Sequence, residues 1–507
     1  MAIDLAQCIG CHACTIACKS EHAIPVGSWR CWVKEIEKGS FPDTQREFLP
    51  VLCNQCSDAP CKTICPTGAL FRRPDGIVDL DPAWCIGCKA CMVACPYDQI
   101  FIDPDTSTAE KCNFCSNRLE VGLEPACVVV CPTQCRIFGD RDDASSDISK
   151  RIAREAVTVR KPEYGTDPNI YYFRGSRQLL DPSAAAEAVI YRQGEAPLGA
   201  DAGPRGEAPL GADEAPPSGS RTVYDVFHQI PWGEKIVGYL LTKGMSTGIL
   251  ILSLLMWRLG FESALFTIWM PILSGLLMVA TGWLLITDLK RPERFHYILI
   301  HPNWKSWMTW GAYFITLDSI LTGLWVLAAL SGGRGAMETL LWPTIAAGTL
   351  ASIYTGFFFA QGAGRDLWLG PENTVDIAAQ TAAKGAGALI VFATLLPIAG
   401  REEALALLGG ILAGALLLHL AILLFTALGH RGGSPALERA VEMFVSGPLR
   451  GEFWWGAVGC GCALPLALIA WRGAGGAGAL LAAVMALAGA YYWDRVWVRA
   501  GQAVPLS

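Results

Sequence analysis

The sequence predicts two unlike folds in one chain: a small α+β domain organised by cysteine, then an all-α bundle of eight transmembrane helices. Three observations carry this. Of the 20 cysteines, 18 fall before residue 136, and sixteen of those form four tetrads. Apolar runs of membrane length begin near residue 235. Between the two regions lies a stretch rich in Gly, Ala and Pro that has little to bury. The net charge of −6 implies no nucleic-acid surface.

The tetrads are Cys8, Cys11, Cys14 and Cys18; Cys53, Cys56, Cys61 and Cys65; Cys85, Cys88, Cys91 and Cys95; and Cys112, Cys115, Cys127 and Cys131. Cysteine number alone would admit a disulfide scaffold. Spacing argues against it, because cysteines two residues apart converge on one metal centre and do so in every tetrad. Pro66, Pro96 and Pro132 follow the last cysteine of three tetrads, as in the bacterial iron–sulfur run CxxCxxCxxxCP. Sixteen soft thiolates suffice for four [4Fe–4S] clusters. The first half therefore reads as a double bacterial-ferredoxin-like domain.

In such a domain, the first three cysteines of one run and the last of its partner hold each cluster. The second and third runs are adjacent in sequence and form one pair, which leaves the first and fourth as the other. The expected ligand sets are Cys8/Cys11/Cys14/Cys131, Cys18/Cys112/Cys115/Cys127, Cys53/Cys56/Cys61/Cys95 and Cys65/Cys85/Cys88/Cys91. Cys31 and Cys135 are left as buried structural thiols, Cys135 close enough to Cys131 to lie near a cluster. Cys460 and Cys462 read as small packing residues of a membrane helix.

Short strands are expected at Ile77–Leu80, after the turn Pro74-Asp75-Gly76, and in GALF, QIFI and NIYYF. The domain boundaries read as 1–190 for the cluster domain with its tail, 191–230 for a linker and 231–507 for the membrane domain. The octad GEAPLGAD occurs at 194–201 and again at 206–213, a duplication in a tolerant spacer.

The spans are expected at 236–257, 266–287, 308–330, 341–360, 382–400, 404–428, 452–472 and 476–494. An even number puts both ends of the bundle on one side. Gly244, Gly248, Gly275, Gly282, Gly356 and Gly414 suit close helix contacts in lipid. On the side shared with the cluster domain stand Lys235, Lys290, Arg291, Arg294, Lys305, Arg365, Arg431, Arg439, Arg450, Arg495 and Arg499; opposite are Arg258, Arg334, Arg401 and Arg472. The positive-inside rule then places the cluster domain in the cytoplasm, at the bacterial inner membrane. The N-terminal MAIDLAQCIGCHAC has neither the basic nor the apolar region of a secretory leader, which agrees.

CNQCSDAPCKTICPTGAL, CIGCKACMVACPYDQI and KCNFCSNR…PACVVVCPTQC resemble the four-cluster subunit of the molybdopterin oxidoreductases that act on dimethyl sulfoxide, polysulfide, nitrate or formate. DLKRPERFHYILIHPNWKSWMTWGAYF and YTGFFFAQGAGRDLW resemble the NrfD/polysulfide-reductase membrane anchor. The resemblance implies an electron-transfer and anchor subunit that links a molybdopterin catalytic subunit to membrane quinone. It implies quinone chemistry here, with the primary substrate site on the partner. It also implies no haem, and His419 is the sole histidine well inside a span. The Cys8 set would face the catalytic subunit and the Cys65 set would lie nearest the membrane. The chain departs from the usual arrangement in fusing the two subunits and in the expected cytoplasmic side.

The family's quinone site involves the cluster-facing end of the first and fourth spans. On that basis His228, Lys243 and Tyr354 are the quinone candidates, with Glu234 just before the first span. Lys243 and Asp318 are ionisable residues inside spans, where burial is expensive; a mutual ion pair is the alternative for them. A contrasting reading is an energy-converting module whose bundle moves protons, for which Lys243, Asp318 and His419 form too sparse a relay. Direction of electron flow, quinone type and primary substrate stay open.

Overall fold

The computed structural model describes residues 1–181, 191–193, 220–429, 433–473, 476–504 and 506. Both octads fall outside the described residues. The chain divides into two compact units, the first spanning Met1–Pro231 and the second Trp232–Val504.

The first unit is a mixed α+β structure. Each of the two central cysteine runs feeds a five-residue helix, Pro60–Ile64 or Ala90–Ala94, and then a two-stranded hairpin. The hairpins are Leu70–Arg72 with Val78–Leu80 and Ile100–Ile102 with Ala109–Lys111. These match the strands expected from GALF, QIFI and the Pro74 turn. The strand from NIYYF, Tyr171–Phe173, runs parallel to Ala2–Asp4, which also pairs antiparallel with Arg136–Ile137. Most of the tetrad cysteines are core members, packed with Trp32, Ile36, Val51 and Tyr172 around one group and with Met92, Tyr97 and Ile100 around the other. Short helices suffice because thiols occupy positions that aliphatic side chains hold elsewhere.

A second sheet is larger than the sequence suggests. Cys31–Ser40 and Asp43–Leu52 form a hairpin of two ten-residue strands, in register from Cys31↔Leu52 to Ser40↔Asp43. Ser220–Val226 adds to it antiparallel, with Ser220 opposite Lys38, and Tyr191–Gln193 runs parallel to that strand. The expected linker 191–230 thus contains two paired strands. Cross-strand charge fixes the edge: Arg221 donates to Glu37 at 2.6 Å, and Arg46 reaches Glu35 and Glu37.

The second unit is helical. Among the described residues, seven helices are long and apolar enough to cross a membrane: Glu234–Arg258, Leu265–Asp288, Trp307–Leu330, Arg334–Ala360, Glu372–Leu395, Arg401–Gly429 and Glu452–Arg472. A further long helix, Gly476–Ala503, follows. The chain is a multi-pass membrane protein. The fifth span starts at Glu372, ten residues before the expected 382, because Asp376 and Gln380 in its first turns are buried and hydrogen-bonded to each other. The first and fifth spans are the most enclosed, at 72% and 67% buried, whereas the second and third present Leu276, Val279, Trp283, Leu324 and Leu327 outward, as lipid-facing helices do.

Three of the six glycines singled out above lie at tight contacts. A methyl on Gly248 would strike the Thr381 carbonyl and Gly385, one on Gly356 would strike Thr374, and one on Gly244 would press on Lys384. Gly282 and Gly414 have open space, and Gly275 touches only Thr322. The Gly248–Gly385 contact draws the first and fifth helices together and sets their ionisable residues close.

Candidate functional sites

The thiols come first. Each run bends through left-handed backbone before its short helix, at Gly10 and His12, Gln55, Gly87 and Lys89, or Phe114 and Cys115. That curl turns the loop sulfurs inward. The last cysteine of each run stands in or just after the helix, and proline stops the helix behind it in three of the four.

Electrostatic proximity groups the sulfurs. Cys18 feels Cys112, Cys127 and Cys115. Cys61 feels Cys95, Cys53 and Cys56. Cys91 feels Cys88, Cys85 and Cys65. Cys8 is coupled to Cys14 and to Cys135, whose sulfur lies 3.5 Å from that of Cys131. Links between groups are equally specific: Cys127 feels Cys14, Cys112 feels Cys53, and Cys91 feels Cys61. These neighbours link the Cys8, Cys18, Cys53 and Cys65 groups in that order.

The donor chemistry fits iron–sulfur clusters. Burial pushes the Cys95 thiol up to about 11 and those of Cys56 and Cys112 to about 12. A coordinated cation reverses this by deprotonating the thiol outright. Main-chain N–H groups of Ala109, Phe114 and Gln99 point at Cys85, Cys112 and Cys95 at 3.3–3.5 Å, hydrogen bonds that stabilise thiolate sulfur. Cys18, Cys112, Cys115 and Cys127 line one cavity with His22 and Arg30. Among the described residues no three His, Cys, Asp or Glu side chains close on a single metal ion. In a cubane the four cysteines ligate four different irons, so their sulfurs surround a volume instead of a point.

Cys11 is exposed and Cys8 and Cys131 are half-buried, unlike most other tetrad cysteines. Ile9, Ile16, Val129 and Val130 are exposed beside them. Cys31 is buried against Cys14, so both spare thiols of the first unit adjoin the Cys8 group.

His228 lies in the first unit. Its Nδ1 is 2.8 Å from Asp98 and its Nε2 is 3.6 Å from Asp225, which also accepts from Trp32 Nε1 at 3.0 Å and faces Lys34 at 3.5 Å. Burial opposes the imidazolium, but the Asp98 and Asp225 carboxylates outweigh it and hold His228 up to about 10. Burial likewise opposes the Asp225 carboxylate, yet Lys34 and His228 keep it well below the usual carboxylate range.

Lys243 and Tyr354 belong to the second unit and meet there. The Lys243 ammonium donates to the Ser352 carbonyl at 2.9 Å and to the Thr355 hydroxyl, and lies 4.7 Å from the centre of the Tyr354 ring. Tyr354 and Tyr239 share a 2.6 Å hydrogen bond between hydroxyls. Lys243 makes no ion pair with Asp318. The Asp318 carboxylate is buried against Gly348 with one oxygen unpartnered. Glu234 binds Arg495 and Arg499 at 3.0 and 2.7 Å.

Sequence reasoning missed the rest of this network. Lys384 pairs with Asp494 at 2.7 Å, both buried. Asp376 receives His419 at 2.5 Å, Gln380 at 2.8 Å and Trp493 at 2.9 Å. Lys243, Asp376, Gln380, Lys384 and Asp494 line a single cavity inside the bundle. The available signal was a set of polar side chains at helical spacing, Asp376-Gln380-Lys384, running into an apolar stretch.

The family described as polysulphide reductase, NrfD, matches residues 222–505, more than half of the chain. The chain belongs to this family. A 4Fe-4S dicluster domain matches residues 44–141. The B subunit of tetrathionate reductase from Salmonella typhimurium is 45% identical over 176 residues, 34% of this chain and 70% of that protein. The B polypeptide of polysulfide reductase from Wolinella succinogenes is 42% identical over 182 residues, 35% and 94% respectively. The iron–sulfur subunit of arsenate respiratory reductase from a Shewanella species is 35% identical over 223 residues, 34% and 95%. The NrfD-family chain is thus an iron–sulfur electron-transfer subunit fused to a quinone-linked membrane anchor, of the kind found in DMSO- and polysulfide-reductase-type complexes.

Proposed function

We propose that four [4Fe–4S] clusters, held by the four cysteine sets named above, carry electrons one at a time between a molybdopterin catalytic subunit and quinone in the inner membrane. The serial adjacency of the sulfur groups, through Cys14–Cys127, Cys112–Cys53 and Cys61–Cys91, is the observation that carries this reading. The Cys8 set is the terminal for the catalytic subunit. Its solvent-facing Cys11 and the exposed apolar Ile9, Ile16, Val129 and Val130 suit a partner surface. The Cys65 set is the opposite terminal. No primary substrate site is assigned to this chain.

The quinone candidates are Lys243 and Tyr354, where an ammonium and a hydroxyl can donate to carbonyl oxygens and a proton can be held nearby. His228 is already clasped by two carboxylates, and we assign it to bracing the first unit. The bundle crosses the membrane eight times, Gly476–Ala503 being the last crossing, with the iron–sulfur domain on the cytoplasmic side as the charge bias implies. Residues 1–190 and 231–507 are the functional modules. Purification from membranes tests the whole: about sixteen non-haem irons per chain and a co-purifying molybdenum subunit are expected. Absence of that subunit would remove the partner assignment. Protease accessibility in vesicles of known orientation tests the side.

A second reading, proton movement by the bundle, gains support from the cavity that gathers Lys243, Asp376, Lys384 and Asp494, with His419 bound to Asp376. Sealed vesicles turning over quinone without any change in internal pH would dispose of it.

A further inference from the structure

Arg136 is fully buried in the first unit, in the two-residue strand Arg136–Ile137. Its guanidinium donates to sulfur: Cys31 at 3.2 Å and Cys14 at 3.4 Å from Nη2, and Cys127 and Met1 at 3.8 Å each from Nη1. Its Nε has no partner, and among the described residues no carboxylate pairs with it. An unpaired buried guanidinium is strongly unfavourable unless negative charge lies close by. Among the described residues, the groups in contact that can supply such charge are Cys14 and Cys127, which become thiolates when they hold a cluster. Cys14 and Cys127 belong to different ligand sets, the first two in the series. Arg30 offers a contrast: it also faces cluster thiols, at Cys18, Cys112 and Cys115, but Glu110 neutralises it.

We propose that Arg136 is shared between the first two clusters of the series and raises the reduction potential of both, leaving the other two unaffected. The inference rests on the four-cluster assignment. The physical cause is simple: adding an electron to a cluster makes it more negative, and a fixed cation at low dielectric favours that state. The forked guanidinium can reach both sulfurs at once, which a single ammonium cannot. Cys31 complements it, since its buried thiol also hydrogen-bonds Cys14.

The test is a potentiometric titration followed by electron paramagnetic resonance, on the full chain purified with its clusters, with iron and acid-labile sulfide counted on every sample. Arg136→Met with full iron should lower two of the four potentials. At a fixed potential near those midpoints the reduced-to-oxidised ratio should fall about tenfold or more, tenfold corresponding to about 59 mV for a one-electron couple. Arg136→Lys should lower at least one of the same two. Four unmoved potentials, or four that fall together, would overturn the proposal. If Arg136→Met loses iron, Arg136→Lys decides: a lowered member of the pair supports the role, and wild-type potentials at both overturn it. A wild-type iron count far below about sixteen would instead sink the four-cluster assignment, so the two failures are distinguishable.

Discussion

Replacing His228 by glutamine should weaken the first unit in a pH-dependent way. The wild-type imidazolium is held between Asp98 and Asp225, and its folded value of about 10 stands above the ordinary 6.5. A histidine raised by folding contributes its full stabilisation below about pH 6.5, and that contribution drains away as the pH climbs through about 10. At about 1.36 kcal/mol per pH unit, the interval sets a ceiling of about 5 kcal/mol. The side chain is 28% exposed, and screening reduces the expected contribution to about 1–3 kcal/mol. The assay is thermal bleaching of the iron–sulfur absorbance at steps from pH 6 to pH 10. The wild type should lose stability relative to His228→Gln as the pH rises, and the two curves should converge near the alkaline end. Curves that stay parallel would refute the clasp. Quinone turnover in His228→Gln, measured at pH 7 on protein with full iron, should match the wild type.

Lys243→Met should cut quinone turnover at least tenfold while dithionite still reduces the clusters, and unchanged turnover would remove Lys243 from the site. Lys384→Met should lower the thermal midpoint in detergent by the equivalent of about 3–5 kcal/mol, because it strands the buried Asp494 carboxylate. The double variant Lys384→Met/Asp494→Leu should recover most of that loss, and a double variant no better than the single one would show that the pair is not what matters. Gly248→Ala should cost about 1–3 kcal/mol by forcing the first and fifth spans apart, whereas Gly282→Ala, with open space at its Cβ, should be silent.

Local signals made the cysteine tetrads and the long helices readable. The CxxC spacing brings sulfurs together within one loop, and an apolar run announces itself without reference to its neighbours. Partnerships between distant segments were less legible. Cys31–Ser40 carries mixed polar and apolar residues because its pairing with both Asp43–Leu52 and Ser220–Val226 buries even Lys34. Nothing local distinguishes it as a central strand. Lys384 and Asp494 sit near the ends of the expected spans 382–400 and 476–494, where an isolated charge looks like a boundary; only the fold shows that each meets the other's charge. Lys243 was recognisable as costly to bury, but its partners Ser352 and Thr355 lie more than a hundred residues away. The same holds for Arg136, whose sulfur contacts at Cys14 and Cys31 are equally remote.

Cutting the backbone anywhere within 194–219 should not set two fragments free. The C-terminal piece would begin at or before Ser220–Val226, still laced to Cys31–Ser40 by main-chain hydrogen bonds and pinned by Arg221 to Glu37 and by Trp32 to Asp225. A nicked protein would migrate as one particle under native conditions and as two bands after denaturation. Peptide continuity at that point fixes the ratio at which the cell makes the two modules, one for one, and raises their local concentration during assembly. Adhesion afterwards is the work of a borrowed strand.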